Sequence, residues 1–340
     1  MYDDLKVLDV HAHVSVPPIA NNHLLGMLAT NSAMRSPLSG GSGISPFGKP
    51  VPEDLFRQAA ADHVRYIDER DIDVQIIGPR PFMVLGWMQP HLVPAWARYV
   101  NDMIAQQCRF HPGRFLGACQ LPQLADAPDS SHCLDELRRC VDEYGFVATY
   151  VSPDPDGKRT SPGMHEPYWY PLYEECERLR LPIIVHGTNS ADPRYAVVPH
   201  NYQLGFVTEQ YLATQFLGHS DVFDRYPGLK IIVCHCGGAL NRFIPTDFHL
   251  PQRDLSENLF FDSCGYDLNF LEAAIKQRGV SQICFGVEAP GSGRAVRPET
   301  GRTSDDLIPV LRSFGWLTEE DRRAIVHHNP ARVCPALAKA

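Results

Sequence analysis

Eight short apolar runs punctuate this chain, and a helix-compatible stretch follows each of them. The strand candidates are 7–13, 74–79, 115–122, 145–151, 182–187, 230–237, 259–265 and 283–288. Most read as continuously apolar, as in Ile183-Ile184-Val185 and Ile231-Ile232-Val233. A strand covered on both faces by helices needs such a run, and strands of that kind belong to parallel sheets. Amphipathic stretches separate them at 54–70, 93–110, 131–143, 167–180, 204–217, 239–249 and 268–278, with 305–313 and 318–327 closing the chain. Alternation repeated eight times over 340 residues predicts an α/β fold, a (β/α)8 TIM-like barrel with its site at the C-terminal strand ends. The whole of 1–340 is expected to form one such domain. A doubly wound open sheet would announce a glycine-rich phosphate loop after an early strand, and none is present.

One long stretch interrupts the pattern. Residues 15–53 hold six prolines and the run Ser39-Gly40-Gly41-Ser42-Gly43. It is expected to be an irregular loop insertion on the active face, covering substrate or contacting another subunit, with a merely mobile insertion as the alternative, since loops of this length are usually either functional or disordered.

The strand ends carry the chemistry. The first run closes with His11-Ala12-His13, and side chains two apart in a strand share a face. Two imidazoles on one face can chelate one divalent metal. Asp9 is read as turned away from His11 and structural. The fifth run ends in His186, the sixth in His235 and the eighth in Glu288. A barrel brings all of these to one mouth. A single such histidine is more often a satisfied core residue, but four with an acid are hard to explain that way. Asp262, closing the seventh run, is a candidate to orient a ligand histidine from behind.

Charge and composition narrow the partners. A formal net charge of −9 argues against nucleic acid or an anionic membrane. No run approaches the roughly 18–20 apolar residues of a membrane span, and the acidic start Met1-Tyr2-Asp3-Asp4 is no secretory signal. Ten scattered cysteines without zinc-knuckle spacing fit reduced thiols in a cytoplasmic enzyme.

These strand ends resemble the amidohydrolase superfamily: HxH after strand 1, one histidine after strand 5, HxGG after strand 6 and an acid after strand 8. Within it the pattern is similar to the branch of aminocarboxymuconate semialdehyde decarboxylase and related decarboxylases and hydratases. No lysine ends strand 4, where Tyr150 and Ser152 stand, so one metal is expected rather than two. Phe285-Gly286-Val287-Glu288 followed by Ala289-Pro290-Gly291-Ser292-Gly293-Arg294 resembles the 4-oxalomesaconate hydratases, whereas the decarboxylases mostly carry Asp in a phrase like FGSDxP. Ser152-Pro153-Asp154-Pro155-Asp156-Gly157 and Asn329-Pro330-Ala331-Arg332 are similar to that family too. The likeness covers roughly 54–337. Two departures stand out: Cys236 occupies a position where glycine is usual, and Asn241-Arg242-Phe243 lacks the family's aromatic spacing.

The resemblance implies a lyase that hydrates, or dehydrates, an unsaturated keto-polycarboxylate in aromatic-acid catabolism. It implies His11, His13 and His186 as ligands of one divalent metal, Zn2+ before Mn2+ or Fe2+. Glu288 would be a fourth ligand or the general base, and His235 the acid/base. Arg80 and Arg294 are candidates for binding substrate carboxylates, since arginine pairs with them bidentately. His200 and Tyr202 lie in a region resembling substrate-contacting loops. A homo-oligomer, most simply a dimer, is expected. The alternatives are a non-oxidative decarboxylase of an aromatic or muconate-type acid and a metal-dependent hydrolase. Further off stand a metal-bearing subunit of a hetero-oligomer and an iron-dependent oxygenase.

Overall fold

Eight strands follow one another around a single parallel sheet: β1 (Leu8–His13), β2 (Val74–Gly78), β3 (Phe115–Gln120), β4 (Ala148–Val151), β5 (Ile183–Val185), β6 (Ile231–Val233), β7 (Leu259–Asp262) and β8 (Ile283–Cys284). The computed structural model describes residues 2–34, 38, 52–198, 201–244, 246, 247 and 253–340, with 201 and 202 described by backbone alone. Each strand pairs in parallel with the next. The ring closes where Val10 N donates to Phe285 O (2.9 Å) and Glu288 N donates to His11 O (2.8 Å). The fold is a (β/α)8 TIM barrel.

The helices are α1 (Asn22–Thr30), α2 (Glu53–Asp68), α3 (Val93–Phe110), α4 (Leu134–Tyr144), α5 (Tyr170–Leu179), α6 (Asn201–Gly218), α7 (Val222–Arg225) and α8 (Leu268–Arg278). Four short ones close the described chain: α9 (Ile308–Ser313), α10 (Glu319–Arg323), α11 (Asn329–Val333) and α12 (Pro335–Lys339). No helix among the described residues is long and apolar enough to cross a membrane.

Two apolar layers explain the continuous runs. Leu8, Val74, Ile76, Ile184, Ile232 and Phe260 pack inside the barrel, and Val333 and Leu337 of α11 and α12 join them. Val7, Ala12, Ile77, Val185 and Val233 face the opposite way, into the layer beneath the helices. Both strand faces are therefore dry, and each large aliphatic buried there contributes about 1.5–3 kcal/mol.

Strand β1 departs from simple alternation. Its register against β2 runs Leu8↔Val74, Asp9↔Gln75, then Ala12↔Ile77, His13↔Gly78, so β1 holds one extra residue between Asp9 and Ala12. A bulge of this kind reverses the phase of every side chain beyond it. Leu8 and Val10 point into the barrel, Ala12 packs outward, and His11 and His13 are carried to the interior. The bulge also parts Asp9 from His11, which an unbroken strand would have set on one face.

Two expectations need correction. Residues 239–244, expected to start a helix over 239–249, are irregular and follow Gly237 and Gly238, both at positive φ; residues 245 and 248–249 of that stretch lie outside the described residues. The 15–53 stretch is not irregular throughout, since α1 forms between Pro18 and Pro37, where Leu24, Leu25, Met27 and Ala29 favour a helix. Residues 35–37 and 39–51 of that stretch lie outside the described residues.

Candidate metal centre

Two strand ends, those of β1 and β5, and the loop after β8 meet at one point. A ligand atom from each of His11, His13, His186 and Glu288 lies within 4.8 Å of the others, and all four residues are buried. His11 Nδ1 donates to Asp262 Oδ2 (2.6 Å) and His186 Nδ1 donates to Gly187 O (2.7 Å). Each ring is thereby turned so that Nε2 faces inward with no hydrogen-bond partner among the described residues. His13 Nε2 stands 3.2 Å from Glu288 Oε1.

Unpaired buried polar atoms cost about 1–3 kcal/mol each, so an arrangement that leaves inward-facing imidazole nitrogens bare calls for a partner. Donors bound to one zinc at about 2.0–2.2 Å stand about 3–3.5 Å apart, and the His13–Glu288 spacing matches that. Three imidazoles and a carboxylate fit a divalent cation.

Charge is arranged to suit. Burial, with neighbouring imidazoles, holds His186 well below its ordinary pKa, and burial is the main cause that lowers His13 to about 4. Both rings are thus neutral and able to donate lone pairs. Burial alone would raise Glu288, but bonds and charges from His13 and His235 hold it well below the usual carboxylate range. Asp262 is also kept ionised: burial pushes it up and the His11 contact outweighs that. Its Oδ1 accepts from the backbone of Cys236 (3.0 Å) and Cys264 (3.1 Å), so one carboxylate ties the His11 ring to the β6 and β7 exits.

Glu288 is held from several sides. Oε2 accepts from Ser292 Oγ (2.8 Å) and Tyr266 Oη (3.2 Å), and His235 Nε2 lies 3.8 Å from it. The backbone is unusual here, with φ of 55° at Glu288, 51° at His235 and 56° at Cys236. Left-handed geometry at such residues costs on the order of 1–3 kcal/mol each and persists where surroundings enforce it. Gly291 lets the loop fold back over Glu288, since a Cβ there would collide with the Glu288 carbonyl.

Known proteins resemble this chain along nearly its whole length. Residues 8–335 match the sequence profile of the amidohydrolases. This chain belongs to the amidohydrolase family. A 2-keto-4-carboxy-3-hexenedioate hydratase of Sphingobium sp. (strain NBRC 103272 / SYK-6) is 29% identical to it, over 98% of this chain and 97% of the relative. A 2-amino-3-carboxymuconate-6-semialdehyde decarboxylase of Dictyostelium discoideum is 26% identical, over 76% of this chain and 72% of its own. Among solved structures, the 4-oxalomesaconate hydratase of Rhodopseudomonas palustris superposes with a TM-score of 0.80 at 25% identity, covering 98% and 97% of the two chains.

The remaining candidates of this amidohydrolase are placed unevenly. His235 joins the cluster, its ring centroid 5.1 Å from that of His11 and 5.0 Å from that of His186, and Gln210 engages its Nδ1 at 2.9 Å. Burial pulls the His235 pKa down, but the Glu288 carboxylate more than offsets it and leaves it raised. Arg80 is half-buried, donates through Nε to Val14 O (3.1 Å) and feels the charge of Glu288. Arg294 is exposed, 6.0 Å from the Tyr66 ring, and the structure does not bring it into the cluster. His200 lies outside the described residues, as does the side chain of Tyr202.

A cavity of about 180 Å³ opens beside Glu288 and His235, lined by Phe206, Val207, Phe270, Tyr266, Cys264 and Ser292 among others. Sequence reasoning missed Tyr266, Ser292 and Gln210. Ser292 follows Glu288 by four residues and Tyr266 follows Asp262 by four, but both sit in loops with no period to read. Gln210 lies on α6, far from any strand end.

Proposed function

We propose that this amidohydrolase is a metal-dependent hydro-lyase that adds water to, or removes it from, an unsaturated keto-polycarboxylate of the 4-oxalomesaconate type. The observation that carries the reading is Glu288: a glutamate in the ligand cluster, its second oxygen held by Tyr266 and Ser292 and facing His235. The sequence of a hydratase aligns over 98% of this chain at 29% identity and that of a decarboxylase over 76% at 26%, which supports the same choice.

His11, His13 and His186 would hold the metal, with Glu288 beside them, and zinc is the ion we favour. Bound there, a divalent cation activates water and polarises a keto oxygen. Glu288 takes the proton of the attacking water as oxygen bonds to the β-carbon of the conjugated alkene. Electrons move onto the keto oxygen as an enolate, and His235 gives its proton to the α-carbon. Proton return from Glu288 to His235, across the 3.8 Å between them, resets the pair. Such a positioned acid/base contributes typically 10²–10⁴-fold. Arg80 anchors a substrate carboxylate, while Phe206, Val207 and Phe270 exclude bulk water from the enolate. We further propose a single-domain homodimer.

The test pairs metal analysis of the native protein with a panel of unsaturated keto acids, following conjugated ultraviolet absorbance and CO2 together. Absorbance loss without gas, with one divalent ion per chain, is the expected result. Stoichiometric CO2 release would transfer the assignment to a decarboxylase.

A further inference from the structure

Cys264 has no part in the ligand set or in the proton transfers above. It lies two residues beyond Asp262, is 3% exposed, and lines the cavity with His235 and Glu288. Its Sγ, a ring nitrogen of His11 and a ring nitrogen of His235 lie within 4.8 Å of one another. The hydrogen bonds identify the nitrogens. Asp262 occupies His11 Nδ1 and Gln210 engages His235 Nδ1, so each ring presents Nε2 to the cavity. His11 Nε2 is fully buried and has no hydrogen-bond partner among the described residues.

That same His11 nitrogen belongs to the His13, His186 and Glu288 set. An imidazole nitrogen has one lone pair and serves one cation at a time, so the two sets are alternatives. Their chemistry differs. Three imidazoles and a carboxylate suit borderline and harder divalent ions, whereas two imidazoles and a thiolate favour soft ones. We propose that His11, His235 and Cys264 form a second, softer cation site, which captures a thiophilic ion such as Cd2+ to the exclusion of an ion on the His13/His186/Glu288 side. Coordination replaces the Cys264 S–H proton, released to buffer, with a sulfur–metal bond. It also consumes His235 Nε2. The site stands whether the enzyme hydrates or decarboxylates.

Cadmium titrated into the purified enzyme tests this without reference to turnover. A thiolate-to-cadmium charge-transfer band should grow to about one equivalent and be reversed by excess Zn2+. Cys264→Ser should abolish the band, and His235→Asn should lower Cd2+ affinity at least tenfold. X-ray absorption at the cadmium edge of the unmutated enzyme needs no variant and should find one sulfur and two imidazole nitrogens around the ion. A shell of nitrogen and oxygen alone would overturn the proposal. So would a band that survives Cys264→Ser, or two cations bound together at full occupancy.

Discussion

Mild acid should destabilise this barrel through His63, a residue outside the metal centre. His63 is 1% exposed and sits at a junction of hydrogen bonds. Its Nε2 donates to Gln75 Oε1 (2.9 Å) and, more weakly, to Ala289 O (3.2 Å). Gln107 Nε2 donates to its Nδ1 (2.8 Å), with Ser15 Oγ at 3.0 Å. Burial is the main cause that lowers its pKa from 6.5 to about 3; Arg80 and His13 add to that, against the Gln75 and Ala289 bonds. The unfolded chain takes up a proton as pH falls through 6.5, whereas the folded chain does so only near 3. Between those values the unfolded state binds more protons, so stability present above pH 6.5 is lost as pH falls. Each unit is worth about 1.4 kcal/mol, which gives a loss of about 2 kcal/mol at pH 5. Urea unfolding of chelator-treated protein at pH 7.5 and pH 5, for the unmutated chain and His63→Gln, isolates the effect, because the other histidines are common to both. The stability difference between the two should move by about 2 kcal/mol in favour of the variant on acidification. A difference constant to within about 0.5 kcal/mol would refute the reasoning.

Further outcomes follow from the same geometry. His186→Ala should strip the metal, whereas Glu288→Gln should keep most of it and lose about 10²–10⁴-fold in turnover; metal analysis beside kinetics separates them, and near-full activity in Glu288→Gln would remove Glu288 as base. Gln75→Leu would leave Asp9 Oδ2 without its amide donor, at about 1–3 kcal/mol, and leave His63 Nε2 and Ala289 O only their longer bond to each other, so thermal unfolding should show a lowered midpoint. Arg80→Leu should raise KM about 10–100-fold with a smaller change in kcat if it binds a ground-state carboxylate, and an unchanged KM would place that contact elsewhere.

Much of the fold was legible because a strand dry on both faces has little choice of residue. Ile183-Ile184-Val185 and Ile231-Ile232-Val233 could hardly be anything else, and all eight runs became strands in the expected order. What failed was local. Residues 239–244 are amphipathic in sequence but follow two glycines at positive φ, and the stretch after β1 reads as loop because prolines flank its short helix on both sides. The supports of Glu288 were invisible for another reason. Tyr266, Ser292 and Gln210 reach the site from two loops and a helix, and contacts between segments distant in sequence leave no spacing to read.

The histidine pair shows where the division falls. By itself the sequence determined that His11 and His13 share a face, since two residues are one period of a strand, and that other strand ends would supply His186, His235 and Glu288. It did not determine which face. Leu8 and Val10 point into the barrel, so an unbroken strand would have turned both histidines outward, beneath the helices. One extra residue in β1, absorbed between Asp9 and Ala12 against β2, reverses the phase and turns the pair inward. Register is settled between strands, not within one, and so only the tertiary structure could decide it.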